Sequence, residues 1–213
     1  MSDHLPKVRR RPLERGDLER MAIPEEFWRA KLQECPENVR PTLTAYGQRL
    51  HELAPRGIGL FLAGVPGVGK TAAACVLAKE ARIQGLSTYF TTFWGLREAI
   101  RNRVPFDNDM TVIERVQTCG FLVLDTFKLE DANEMILGHR AVEEILVGRA
   151  SNGRPSVLTG QALFAQLDDV KAGWRGLLQR GRLHHLTLTG PDRRVAEYQN
   201  LGKIILPPGR NAT

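Results

Sequence analysis

The stretch Gly64-Val65-Pro66-Gly67-Val68-Gly69-Lys70-Thr71 constrains this chain more than any other. It fits G-x-x-x-x-G-K-[ST], a loop whose backbone N–H groups turn inward around phosphate oxygens. Glycines accept the backbone angles this needs. The motif carries weight only between a strand and a helix. Ile58 to Ala63 is a short apolar run that reads as a buried strand, and Ala72 to Arg82 is alanine-rich and reads as a helix. A chance glycine-rich turn has no reason to sit between those flanks. In this context Lys70 reaches the β- and γ-phosphates and the Thr71 hydroxyl ligates Mg²⁺. The start of the helix adds partial positive charge. The predicted ATP-binding set is therefore Gly64, Val65, Pro66, Gly67, Val68, Gly69, Lys70, Thr71 and Ala72.

Downstream, Phe121 to Leu124 are apolar and end in Asp125. A buried parallel strand with an acid at its C-terminal edge is the Walker B arrangement, in which the aspartate holds the Mg²⁺ shell. Thr126 follows directly, where many hydrolysing phosphate-loop enzymes carry a second acid. Threonine cannot act as a carboxylate base, so slow hydrolysis is expected. Glu130 and Asp131 are the nearby acids.

The remaining elements follow from periodicity and breakers. Strands are expected over Leu86–Thr92, Pro155–Gly160 and His184–Leu188. Helices are expected over Phe93–Arg103, from an Asp109 cap through Val116, over Glu134–Ala150, and as short pieces over 163–170 and 173–180. Alternating strands and helices predict the α/β class: five parallel strands flanked by helices, with the ligand at the carboxyl ends of the strands. Upstream, residues 1–20 mix six basic residues with Pro6 and Pro12 and read as an arm disordered until bound. Helices are expected from Pro24 to about Glu34 and from Pro41 to Leu53. The chain then divides into a basic arm and helical extension (1–54), a nucleotide-binding domain (55–195) and a tail (196–213).

At 213 residues, 42% hydrophobic and 25% charged, the chain suits one globular domain with short extensions. Its net charge of +6 hints at a polyanionic partner, although a solvated basic surface gives the same number. Arg97, Arg101 and Arg103 cluster near Phe106, a grouping that suits a single strand of nucleic acid and equally a solvated helix face with one core aromatic. The three cysteines are far apart and form no C-x-x-C pair, so neither a zinc site nor a disulfide framework is signalled, and reduced thiols suit the cytoplasm. His184 and His185 lack metal-ligand spacing. No apolar run approaches the roughly 18 residues of a membrane span, and the basic N-terminus has no apolar stretch after it to make a signal peptide.

Several segments recur in a family's order: I-P-E-E-F-W, G-V-P-G-V-G-K-T, A-K-E-A-R-I-Q-G-L-S-T-Y-F-T-T-F-W-G-L, F-L-V-L-D, G-R-P-S-V-L-T-G-Q and G-P-D-R-R. Over residues 22–194 the chain resembles the AAA+ ATPases of the DnaC/IstB type, the bacterial and phage helicase loaders and transposase helper ATPases. The resemblance implies an AAA+ phosphate-loop fold with a short helical N-terminal extension and little or no C-terminal lid. It implies ATP and Mg²⁺ as cofactors, with Lys70 and Asp125 at the chemistry and Thr71 and Asp125 on the metal. Gln161 falls at the family's sensor position. Arg180 falls where relatives carry an arginine finger for a neighbour's ATP, with Arg182 as the local rival, so self-assembly into an oligomer is implied. Thr126 departs from the family's acid. The implied function is ATP-dependent loading of a replicative DNA helicase onto single-stranded DNA. The alternatives are a transposition helper that grips duplex DNA and recruits a transposase, a nucleotide kinase, and a non-catalytic nucleotide-binding scaffold.

Overall fold

A computed structural model describes residues 12–102, 111–127, 136–161 and 182–194. Five strands, β1 (Gly59–Ala63), β2 (Thr88–Thr92), β3 (Phe121–Phe127), β4 (Ser156–Gly160) and β5 (Leu183–Thr187), form one sheet in the order β2-β3-β4-β1-β5. Every pairing is parallel. Helices cover both faces, which is why β1 and β4 are buried at every position rather than alternating with polar residues. Alternation instead divides two cores. Leu60, Leu62 and Val123 pack on one side with α4 (Lys70–Ile83), whose Ala73, Ala74, Ala78 and Ala81 are fully buried. Phe61, Leu122, Leu124 and Leu158 pack on the other with α5 (Phe93–Arg101), α6 (Val112–Thr118) and α7 (Ile136–Ser151).

The segment before β1 shares the first core through Met21, Ile23, Val39, Leu43 and Leu50. Here the structure corrects three expectations. Residues Arg15–Arg20, read as part of a disordered arm, form a helix, α1. Six residues do not hold a helix alone. Tertiary pairing holds this one: Asp17 is buried, and its Oδ1 accepts from Arg20 and Arg82 at 3.0 Å each. The chain then passes the exposed edge of the sheet, where the Phe90 N–H donates to the Met21 carbonyl at 2.8 Å. Pairing the edge in this way blocks strand addition. Residues 1–11 lie outside the described residues.

The helix expected from Pro24 to Glu34 is two separate 3₁₀ turns, Glu25–Phe27 and Leu32–Glu34. Lys79 of α4 explains the break, because its Nζ donates to the carbonyls of Phe27, Trp28 and Ala30 at 3.3, 3.0 and 2.5 Å. The Trp28 and Ala30 carbonyls go to the lysine, and the Phe27 carbonyl, shared with it, takes only a three-residue turn bond from the Ala30 N–H at 3.1 Å. The helix expected over Pro41–Leu53 is divided at Arg49 into α2 (Arg40–Gln48) and α3 (Leu50–Leu53), and Gln84 Nε2 takes up the Gly47 carbonyl at 2.7 Å. The cap of α6 is Thr111 rather than Asp109. The Thr111 hydroxyl accepts from the Glu114 N–H and the Glu114 carboxylate accepts from the Thr111 N–H, a reciprocal capping box. Asp109 and the helices expected over 163–170 and 173–180 lie outside the described residues. The three cysteines are free and buried, and burial pushes the Cys75 thiol up to about 12. Among the described residues no helix is long and apolar enough to cross a membrane.

Candidate nucleotide site

The phosphate loop leaves the C-terminal end of β1, and α4 begins at Lys70 with Gly69 as its cap. Gly67 has φ +75°, a conformation that strains any residue with a Cβ, and the Asp192 carboxylate lies against it. Lys70 folds back across the loop and donates from Nζ to the carbonyls of Gly64 at 2.9 Å and Val65 at 2.8 Å. Burial holds its pKa below the ordinary lysine value, against the opposing pull of Asp125. Ala72 sits in the first turn of α4 with its backbone beside Thr71.

Asp125 is buried near the C-terminal end of β3. Three threonine hydroxyls converge on its carboxylate. Thr71 Oγ1 donates to Oδ1 at 2.8 Å, Thr159 Oγ1 donates to Oδ1 at 2.5 Å, and Thr126 Oγ1 donates to Oδ2 at 3.1 Å. Thr71 and Asp125, 54 residues apart in sequence, therefore form one hydroxyl–carboxylate pair beside the loop. These hard oxygen donors fit Mg²⁺, which is held by one or two protein ligands while substrate phosphates and water fill the other positions. No group of three or more acids, histidines or cysteines that could form a metal cage exists among the described residues.

Thr126 has φ +58°, an outlier for a β-branched residue, at an irregularity where the β3–β4 register shifts between Leu124 and Phe127. Its side chain is exposed and supplies no carboxylate. Glu130 and Asp131 lie outside the described residues, as does Arg180. Gln161 follows the last residue of β4 and is exposed. The β4 side chain that touches Asp125 is Thr159, two residues earlier on the same strand face. Sequence reasoning passed over Thr159 because it reads as one more β-branched strand residue; its only signal is a hydroxyl where the apolar run would take valine.

A second feature was also missed. The turn after β5 lies over the phosphate loop. Leu188 N–H donates to the Ala63 carbonyl at 2.8 Å and Arg193 N–H donates to the Gly67 carbonyl at 3.2 Å. The Arg193 guanidinium approaches to 3.4 Å of the position a Cβ on Gly69 would take. Asp192 accepts from Arg194 at 2.9 and 3.1 Å, and those hydrogen bonds hold its carboxyl below the usual range. From the extension before β1, Asn38 pins this turn: its Nδ2 donates to the Thr187 carbonyl at 2.7 Å and its Oδ1 accepts from the Thr189 N–H at 3.3 Å. The adjacent arginines of G-P-D-R-R, following directly on the last strand, were the available signal.

Of the predicted nucleic-acid residues, Arg97 and Arg101 lie on α5, which starts at the same carboxyl edge of the sheet as the phosphate loop. Arg103 and Phe106 lie outside the described residues. The aromatic that accompanies the arginines is Trp94, 62% exposed, with the Arg97 guanidinium 5.2 Å from its ring centre. Residues 94, 97 and 101 share one helical face. Arg182, the rival finger, donates to the Arg56 carbonyl.

No protein-family model matches the chain. No curated protein matches it either. Solved structures do. DnaI matches with a TM-score of 0.63 at 23% identity, covering 80% of this chain and 94% of that one. The DnaC helicase loader matches with a TM-score of 0.59 at 22% identity, covering 78% of this chain and 100% of that one. AMPPCP-bound DnaA from Aquifex aeolicus matches with a TM-score of 0.60 at 17% identity, covering 87% of this chain and 57% of that one. With a phosphate loop between β1 and α4, an acid near the end of β3 and a five-stranded parallel sheet shared with these replication proteins, the chain has the AAA+ phosphate-loop NTPase fold.

Proposed function

We propose that the chain is an ATP-controlled loader of a replicative DNA helicase, which binds ATP with Mg²⁺ and single-stranded DNA and acts as an assembly switch with slow hydrolysis. The observation that carries this reading is the match to DnaI and to the DnaC helicase loader, which takes in 94% and 100% of those chains. A DnaA structure of the same fold is bound to AMPPCP and single-stranded DNA, which supports both ligands.

In this reading the loop N–H groups from Gly64 to Thr71 cradle the phosphates. Lys70 gives up its two carbonyl partners and turns to the β/γ oxygens. Thr71 and Asp125 hold the metal, which neutralises phosphate charge. Thr126 fits the switch, since no carboxylate follows Asp125 to polarise water. Arg180 completes a neighbouring subunit's site, which ties activity to assembly. Trp94, Arg97 and Arg101 supply stacking and charge to a DNA strand. The basic arm and helical extension before residue 55 grip the helicase.

The test measures complex size with a replicative helicase, with and without ATP and single-stranded DNA. An ATP-dependent joint complex is expected, lost in Lys70→Ala. A joint complex with a transposase and duplex DNA instead would assign the transposition role. A nucleotide-bound chain that assembles with neither would leave a scaffold. Vigorous DNA-independent hydrolysis without helicase binding would refute the loader reading.

A further inference from the structure

The arrangement around Asp125 contains a part that nucleotide binding alone does not require. Thr159 is 1% exposed and is the fourth of the five residues of β4, between Leu158 and Gly160. A valine would have the same shape there. The hydroxyl therefore needs a chemical account.

Its hydrogen bonds have a fixed direction. A hydroxyl has one proton to give and lone pairs to accept with. The Thr126 N–H donates to Thr159 Oγ1 at 3.0 Å, so the oxygen is already an acceptor on that side. Its proton goes to Asp125 Oδ1 at 2.5 Å. A β-branched side chain is stiff at χ1, so the hydroxyl oxygen stays in place between its two partners.

The backbone of β3 is bent to make this possible. Thr126 takes a left-handed conformation that is strained for a β-branched residue. There the β3–β4 register shifts, and the Thr126 N–H goes to the Thr159 side chain. The same bend brings Thr126 Oγ1 onto Asp125 Oδ2. The carboxylate is thus held at both oxygens by groups that are not metal ligands. Thr71, the third hydroxyl on it, gives its proton to Asp125 and keeps lone pairs free for an ion.

We propose that Thr159, oriented by the N–H of the strained Thr126, is the positioning residue that keeps the Asp125 carboxylate in place beside Thr71 for the uptake of Mg²⁺. This rests on the reading of the site as one for a magnesium nucleotide. Thr159 touches neither nucleotide nor metal. It acts through Asp125, as partners behind a metal ligand commonly do, and loss of such a partner costs about 10–100-fold in metal affinity.

The test is equilibrium binding of a fluorescent ATP analogue to the full chain across a Mg²⁺ series, with an EDTA arm. Thr159→Val is expected to raise the Mg²⁺ concentration for half-maximal tightening by about tenfold or more. Affinity in EDTA stays unchanged. Thr159→Ser, which restores the hydroxyl, returns the midpoint to within about twofold of wild type, which a shape-filling role would not predict. Thr159→Cys keeps a weaker donor and gives an intermediate shift, and it carries the test if the valine variant does not fold. A wild-type midpoint in Thr159→Val or Thr159→Cys overturns the proposal, as does a serine variant as defective as valine. A wild-type chain that binds the analogue with no Mg²⁺ dependence overturns the magnesium-nucleotide reading itself, and the proposal with it.

Discussion

Arg149 offers the sharpest test of what holds the sheet to its helices. It is a guanidinium at 2% exposure, on α7, with no carboxylate among its described partners. Its Nε donates to Ser156 Oγ at 3.0 Å and its NH2 to the Pro155 carbonyl at 3.0 Å. Its NH1 donates to the carbonyls of Val116 at 2.5 Å and Cys119 at 2.9 Å, with the Cys119 sulfur at 3.4 Å. Val116 and Cys119 are at the end of α6, where carbonyls have no partner within the helix. The cation thus closes the C-terminus of α6, meets its negative dipole end and ties it to the entry of β4. Burial lowers the Arg149 pKa from its ordinary value.

Arg149→Met keeps most of the stem volume and strips every donor. Four oxygen acceptors then lose this partner, and only the Pro155 carbonyl keeps a backbone donor, the Leu122 N–H at 3.2 Å. At about 1–3 kcal/mol for each unsatisfied buried group, partly offset by no longer burying a cation, the net loss is about 3–5 kcal/mol. For a domain of this size that lowers Tm by roughly 2–4 °C per kcal/mol. Urea unfolding by far-ultraviolet circular dichroism measures it, read as a shift in midpoint at constant slope. Arg149→Lys keeps the charge with fewer donors and falls between. A loss below about 1 kcal/mol in Arg149→Met would refute the reasoning, since it would mean that water or other donors satisfy those carbonyls equally well.

Three other outcomes follow from the same geometry. His185 stacks on Phe61 with ring centres 5.6 Å apart, and burial, then His184, lowers its pKa from 6.5. As pH falls through 6.5 the unfolded chain takes the proton first, so stability falls towards the folded pKa, by at most about 1.4 kcal/mol per pH unit; urea midpoints from pH 8 to 5 should show this slope flattened in His185→Phe, and an unchanged slope would sink the assignment. Asn38→Ala frees the turn over the phosphate loop at a cost of about 1 kcal/mol, close to a fivefold weakening of nucleotide binding by fluorescence titration; wild-type affinity would show that the turn does not depend on the pin. Trp94→Ala should weaken oligo-dT binding by about 1–3 kcal/mol without changing nucleotide affinity, measured by fluorescence anisotropy, and equal DNA affinity would remove Trp94 from the interface.

Sequence alone determined the class of fold and the place of the candidate nucleotide site. The phosphate loop, its strand and its helix are contiguous, and runs such as Phe121 to Leu124 name their own burial. Those signals are local, so they survive without coordinates. The tertiary structure decided which distant side chains meet. Thr159 reaches Asp125 across 34 residues because parallel strands bring their carboxyl ends together. Asn38 reaches Thr187 across 149 residues, and the helix Arg15–Arg20 exists because Asp17 finds Arg82 on α4. The Lys79 contacts that break the expected helix at Phe27 to Ala30 are of the same kind. Backbone preference in a short segment is worth a few tenths of a kcal/mol per residue, and a buried ion pair or a lysine on three carbonyls outweighs it. Such partners are set by the register of the sheet and the seating of the helices, which no local stretch of sequence encodes.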